Sequence, residues 1–225
     1  MSEKTPPKKH PTEPLSVLLA LCQNGVDPEN LPCSEKQRDH LFIHQENVGQ
    51  LLVVARGENL FGGVLSPLKT FSSVLLAALL HDIGKVNIPE EILLAPRKLT
   101  SEEFTTYIHP HPIQSLEILG DDFIEKYPLA AQLIRYHHLY EIQPDRSLPD
   151  DPAFIEALFA LIVCDKIMAA VEERPERDNF KSDDQVKAML DNEIQLLIQA
   201  TDHPLPELTD NDFELLYFQA LKLRH

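Results

Sequence analysis

Residues 70–85 read TFSSVLLAALLHDIGK. From Thr70 to Leu80 apolar side chains fall on nearly every side of a helical wheel, so the pattern predicts a helix buried at the centre of the molecule. It runs straight into His81-Asp82-Ile83-Gly84-Lys85, with Gly84 as the expected stop. The longest wholly apolar run, Val74 to Leu80, falls far short of the ~20 residues that a bilayer-spanning helix needs.

Toward the amino terminus, Leu41, His44, Val48, Leu51, Leu52 and Ala55 recur at three- and four-residue steps from about Ser34 and end at Gly57. His44 therefore shares the inward stripe. Toward the carboxyl terminus, Thr100 and Glu103 have the spacing of a capping box, which opens a short helix ending before His109-Pro110-His111-Pro112. The prolines make that segment a corner, after which a helix runs to Leu119 with Gly120 at its end. Further helices are expected over Leu129–His138, from the Asp151-Pro152 cap to Glu173, over Ser182–Ala200 and over Asn211–Leu223. On the second of these, Phe154, Leu158, Leu161, Asp165 and Met168 form one stripe, which places Asp165 on an apolar face. No alternating strand pattern and no glycine-rich phosphate loop occurs, and glycines number seven. The expectation is an all-α fold, a single compact helical domain over residues 15–225 behind a flexible polar tail, residues 1–14.

The 225 residues carry 36 acidic and 20 basic side chains, a formal charge of −16, which repels a bare phosphate backbone and argues against general nucleic-acid binding. No apolar stretch follows the charges of MSEKTPPKKHPTEP, so the reading is a cytoplasmic protein with no membrane association. Cys22, Cys33 and Cys164 form no CxxC pair and read as small apolar side chains in a reducing compartment.

Against this background, four places set histidine or aspartate where a helix should bury something apolar: His44, His81-Asp82, His137-His138 and Asp165. A lone histidine on an apolar stripe is commonly a hydrogen-bonded core residue, and a lone aspartate a cap or ion-pair partner. The set is harder to explain that way. Ionised carboxylates on inward faces are costly unless a cation compensates them, and imidazoles with carboxylates are what a divalent metal wants. Adjacent ligands at a helix end diverge, so the two pairs can serve two different ions.

HDIGKVNIPEEILLAPRKLTSEEF at 81–104 resembles the first signature of the HD-superfamily phosphohydrolases, and specifically of their HD-GYP subgroup. The resemblance continues through His111-Pro112, Glu117-Ile118-Leu119, His137-His138 and LIVCDKIMAAVEERPER at 161–177, and so covers about residues 40–180. It implies metal ligands at His44, His81, Asp82, His111, His137, His138 and Asp165, with Asp82 bridging two ions. His109 competes with His111 for its place. Some members add a glutamate four residues before the first histidine to hold a third metal; His40 stands there in this chain. Iron, manganese or zinc suits such ligands. Lys85 matches the signature lysine of the catalytic site, and Arg174 and Arg177 match basic residues that contact substrate phosphate.

The implied activity is a metal-dependent phosphodiesterase that opens a cyclic dinucleotide such as cyclic di-GMP with a metal-activated water. One part of the pattern is missing. After the paired histidines the subgroup reads H-H-E-x-x-D-G-x-G-Y-P, whereas this chain reads HHLYEIQPDRSLP at 137–149, without the glycines that turn the backbone or the tyrosine beside the substrate. A phosphohydrolase of another nucleotide or phosphate ester, or a silent nucleotide-binding signalling module, therefore stands as an alternative. With no sensor domain ahead of the core, a protein partner is an expected source of input.

Overall fold

The computed structural model describes residues 14–139, 148–172, 182–201 and 203–224. These residues form helices α1 Leu15–Gln23, α2 Glu35–Gly57, α3 Leu68–Leu80, α4 Glu90–Leu93, α5 Ser101–Glu103, α6 His111–Lys126, α7 Pro128–Tyr136, α8 Pro152–Val171, α9 Asp183–Ala200 and α10 Asp210–Leu223. No strand occurs among the described residues. The fold is all-α, as the sequence predicts.

Local signals account for most of the boundaries. Ser34 and Gln37, Thr100 and Glu103, Ser182 and Gln185, and Thr209 and Asp212 close reciprocal capping boxes at the starts of α2, α5, α9 and α10. Asp151 caps α8 ahead of Pro152. α5 leads into a single π turn, Phe104–Ile108, which delivers the chain to the proline corner. At Gly120 the backbone takes φ 77°, a conformation open mainly to glycine, and kinks α6 where the sequence places an end.

The structure adds one helix and corrects two expectations. α1 has no side-chain cap of its own and was not foreseen; Glu46 of α2 accepts hydrogen bonds from the Ser16 and Val17 amides and so closes its first turn. Gly84 does not stop a helix. α3 ends at Leu80, and Gly84 lies inside a 3₁₀ turn, Ile83–Asn87, packed against α6. A Cβ at Gly84 would collide with the His111 carbonyl oxygen and the Ser115 amide nitrogen, so glycine is there for close approach. Finally, α8 is more enclosed than α3: nearly every residue from Phe154 to Val171 is buried, because α2, α3, α7, α9 and α10 all pack around it.

The core is built from α2, α3, α7 and α8, with Phe42, Leu51, Leu80, Ile134, Phe154 and Phe159 among its largest buried side chains. Cys164 is buried within it, but Cys22 is exposed and Cys33 half-buried, so only one cysteine fills the expected apolar role. No helix of the described residues is long and apolar enough to cross a membrane.

Candidate metal centre

The buried polar side chains converge on one region. His81 continues the helical conformation of α3, while Asp82, at φ −101° and ψ 4°, occupies the bridge region and turns its side chain another way. His44 comes from the middle of α2, Asp165 from α8, His111 from the start of α6, and His137 and His138 from the end of α7. They form two donor sets, one of His44, His81 and Asp165, the other of Asp82, His111, His137 and His138. Within each set the donor atoms lie within 4.8 Å of one another, a spread that ligands about 2 Å from a shared ion can span.

The adjacent pair His81-Asp82 thus diverges to two sets. His137 and His138 do not: both enter the set of Asp82, with ring centroids 4.1 Å apart. Asp82 lies between the sets. Its Oδ1 is 3.0 Å from His111 Nε2 and 3.6 Å from His137 Nε2, and its Oδ2 is 3.5 Å from His81 Nε2 and 3.9 Å from His44 Nε2.

Tautomers decide what these contacts mean. Nδ1 of His81, His111 and His137 faces the carbonyl oxygen three residues upstream, on Ala78, Ile108 and Ile134, at 2.8, 2.5 and 2.7 Å. Each carbonyl is free to accept. Ala78 and Ile134 lie in last helical turns, and the residue four after Ile108 is Pro112, which has no N–H. Nδ1 therefore carries the proton and Nε2 turns a lone pair inward. His111 Nε2 and His137 Nε2 then face each other at 3.2 Å, beside a carboxylate oxygen, with no proton to share. His81 Nε2 and Asp82 Oδ1 are fully buried without a hydrogen-bond partner. Facing lone pairs and orphaned acceptors are the arrangement a cation resolves, so these residues fit divalent metal.

Electrostatics agree. Burial holds His111, His137 and His138 below the usual imidazole range, His137 at about 3, with Lys85 reinforcing it at His111 and Lys166 at His138. Burial raises the Asp82 and Asp165 carboxyls, yet Lys85 above all outweighs it at Asp82, and the hydrogen bond from His44 above all does so at Asp165, so both stay well below the ordinary value. At His44 burial opposes the proton, but Glu172 and Asp165 raise its pKa to about 10. His138 differs in another way: Lys166 Nζ lies 3.2 Å from its Nδ1. To hold an ion through Nε2, His138 has to give up a proton or move off Lys166.

A cavity of about 520 Å³ opens beside this centre, reaching His44, Asp82 and Lys85 on one side and Arg97, Phe104 and His109 on the other. Lys85 Nζ contacts Asp82 Oδ2 at 2.5 Å, so its charge sits at the cavity floor. His109 lies in the wall with its ring edge-on to Phe104, outside both donor sets, whereas His111 is fully buried within one. His40 also lines the cavity without joining a set. Arg174 and Arg177, and residues 140–147 of the altered loop, lie outside the described residues.

Sequence reasoning missed three neighbours. Ser115, one turn after His111, donates to the His81 carbonyl at 2.7 Å and accepts from the Gly84 amide at 2.8 Å. Glu172 meets His44 from two turns beyond Asp165 on α8. Both spacings are helical and readable in hindsight; nothing comparable marks Lys166.

Residues 42–187 match the HD domain family, and the chain belongs to it. Within it the chain is HD-GYP-like: it is 58% identical over 73 residues to a cyclic di-GMP phosphodiesterase of Vibrio cholerae, covering 32% of this chain and 14% of the relative. It is 34% identical over 113 residues to the cyclic di-GMP phosphodiesterase response regulator RpfG of Xanthomonas campestris, covering 48% and 29%. A cyclic di-GMP phosphodiesterase of Thermotoga maritima is 39% identical over 67 residues, covering 30% and 18%. The matched part spans less than a third of the length of each of these relatives. No solved structure matches significantly.

Proposed function

We propose that the protein is a metal-dependent phosphodiesterase whose substrate is a cyclic dinucleotide of the cyclic di-GMP type. The observation that carries this is the inward convergence of Nε2 lone pairs from His81, His111 and His137 on Asp82, between two buried donor sets. His44, His81 and Asp165 would hold one ion, His111, His137 and His138 a second, and Asp82 would serve both. Bound divalent ions supply Lewis acidity toward a phosphoryl oxygen and a water ionised near neutral pH. The ligand types suit iron or manganese, with zinc as a third choice.

The chain's own residues do the rest. Helix-end carbonyls keep the imidazoles in the tautomer that leaves Nε2 bare. Lys85, at the cavity floor, supplies a positive charge to a nonbridging phosphate oxygen and a proton within reach of a departing alkoxide. In a molecule of charge −16 an anionic substrate needs such local cations, and Arg174 and Arg177 are assigned to the same task on sequence grounds. His40 is the candidate for a third ion. Work in the cytoplasm, with input from a protein partner, completes the reading.

The altered loop favours a second reading, a phosphohydrolase of another nucleotide or phosphate ester, because the glycines and tyrosine of the subgroup are replaced there. Protein purified without air is assayed for metal by elemental analysis, then incubated with cyclic di-GMP, other cyclic and linear dinucleotides, and mononucleotide esters. Two or three equivalents of metal with cleavage of a cyclic dinucleotide is the expected result. Cleavage confined to other esters selects the second reading, and absence of metal after reconstitution overturns both.

A further inference from the structure

A histidine that holds a metal through Nε2 needs a partner for its Nδ1 proton. At His81, His111 and His137 that partner is a backbone carbonyl left free by a helix end or by a proline. His44 has none, because it lies inside the 23-residue helix α2, where the helical ladder engages the carbonyls of the preceding turn. Its Nδ1 instead faces both carboxylate oxygens of Glu172, at 2.8 and 2.9 Å. Asp165 Oδ1 stands 3.0 Å from the other ring nitrogen. One helix, α8, thus places a carboxylate on each nitrogen of an imidazole borne by α2.

The two carboxylates differ in role. Asp165 belongs to the donor set, while Glu172, at the C-cap of α8, stands behind the ring and belongs to neither set. We infer that Glu172 is a positioning residue for the metal position of His44, His81 and Asp165: it accepts the Nδ1 proton of His44, fixes tautomer and ring angle, and leaves Nε2 aimed at the ion. Its negative charge also makes the imidazole a stronger donor than a carbonyl partner would. This rests on the two-ion reading above and adds a residue to it.

The test is a titration of the metal-free full chain with Mn(II), following free Mn(II) by its paramagnetic resonance signal. Wild-type protein is expected to bind two equivalents. Glu172→Ala should keep one at wild-type affinity and weaken the other about 10- to 100-fold, with unchanged helical circular dichroism. Glu172→Gln, which keeps a neutral acceptor in the same volume, should fall between, and it is read in the same way if the alanine variant does not fold. Two equivalents at wild-type affinity in the variant overturn this inference alone. Loss of both together overturns it as well, since that marks a general structural role. Wild-type protein that takes up no Mn(II) overturns the two-ion reading and this inference with it.

Discussion

Asp82 stands between the two donor sets, its two oxygens facing different histidines, and is the side chain proposed to serve both. Asp82→Ala should remove metal from both positions, and His81→Ala should weaken the position it shares with His44, each leaving a largely helical protein; elemental analysis beside circular dichroism checks this, and unchanged metal content would refute it. The same histidines set the pH response of the metal-free protein. His137, held at about 3 by burial, cannot take the proton that the unfolded chain binds below about 6.5, so folding stability should fall as pH drops beneath that value. His44 has the opposite sign. Burial disfavours its proton, but Glu172 and Asp165 raise its pKa to about 10, so its contribution is complete below about 6.5 and is lost as pH climbs toward 10. Urea midpoints across pH 5 to 10 should therefore decline on both sides of neutrality, and His44→Gln should flatten the alkaline side only.

Among the elements, the contact between the 3₁₀ turn Ile83–Asn87 and α6 positions the centre. Gly84→Ala would push a methyl into the His111 carbonyl and the Ser115 amide, with an expected cost of about 1–3 kcal/mol and displacement of His111. Ser115→Ala would strand the Gly84 amide and the His81 carbonyl, for a loss of about 1–3 kcal/mol. Equilibrium unfolding of both variants, with metal content measured alongside, is the check; near-wild-type values would show that the turn has room to shift. At this scale most helices could be read from the sequence, because caps such as Thr100 with Glu103 at α5 and stripes such as that of α8 in the core are local signals. His44 and Asp165 also stood out, as polar residues on apolar stripes. Long-range contacts did not: α1 is capped by Glu46 from another helix, and Ser115 matters only once α6 lies against the turn. Glu172 was one of several acidic residues at a helix end until the ring of His44 was placed beside it.

For the whole molecule, the donors come from α2, α8, α6 and the ends of α3 and α7, so ions held there would tie the core helices together. Ligands that bind only the folded state stabilise it by mass action, and Mn(II) or Fe(II) should raise the thermal midpoint of the metal-free protein in proportion to the logarithm of its concentration. A midpoint indifferent to either ion would count against the centre. His44 and Asp165 are 121 positions apart in the chain, yet their atoms lie 3.0 Å apart. A growing polypeptide therefore lacks this pocket until synthesis has passed α8 and the late helix has docked on the early one. Any ion held at this position would be acquired only after translation has passed α8, so its loading would be a maturation step rather than part of synthesis.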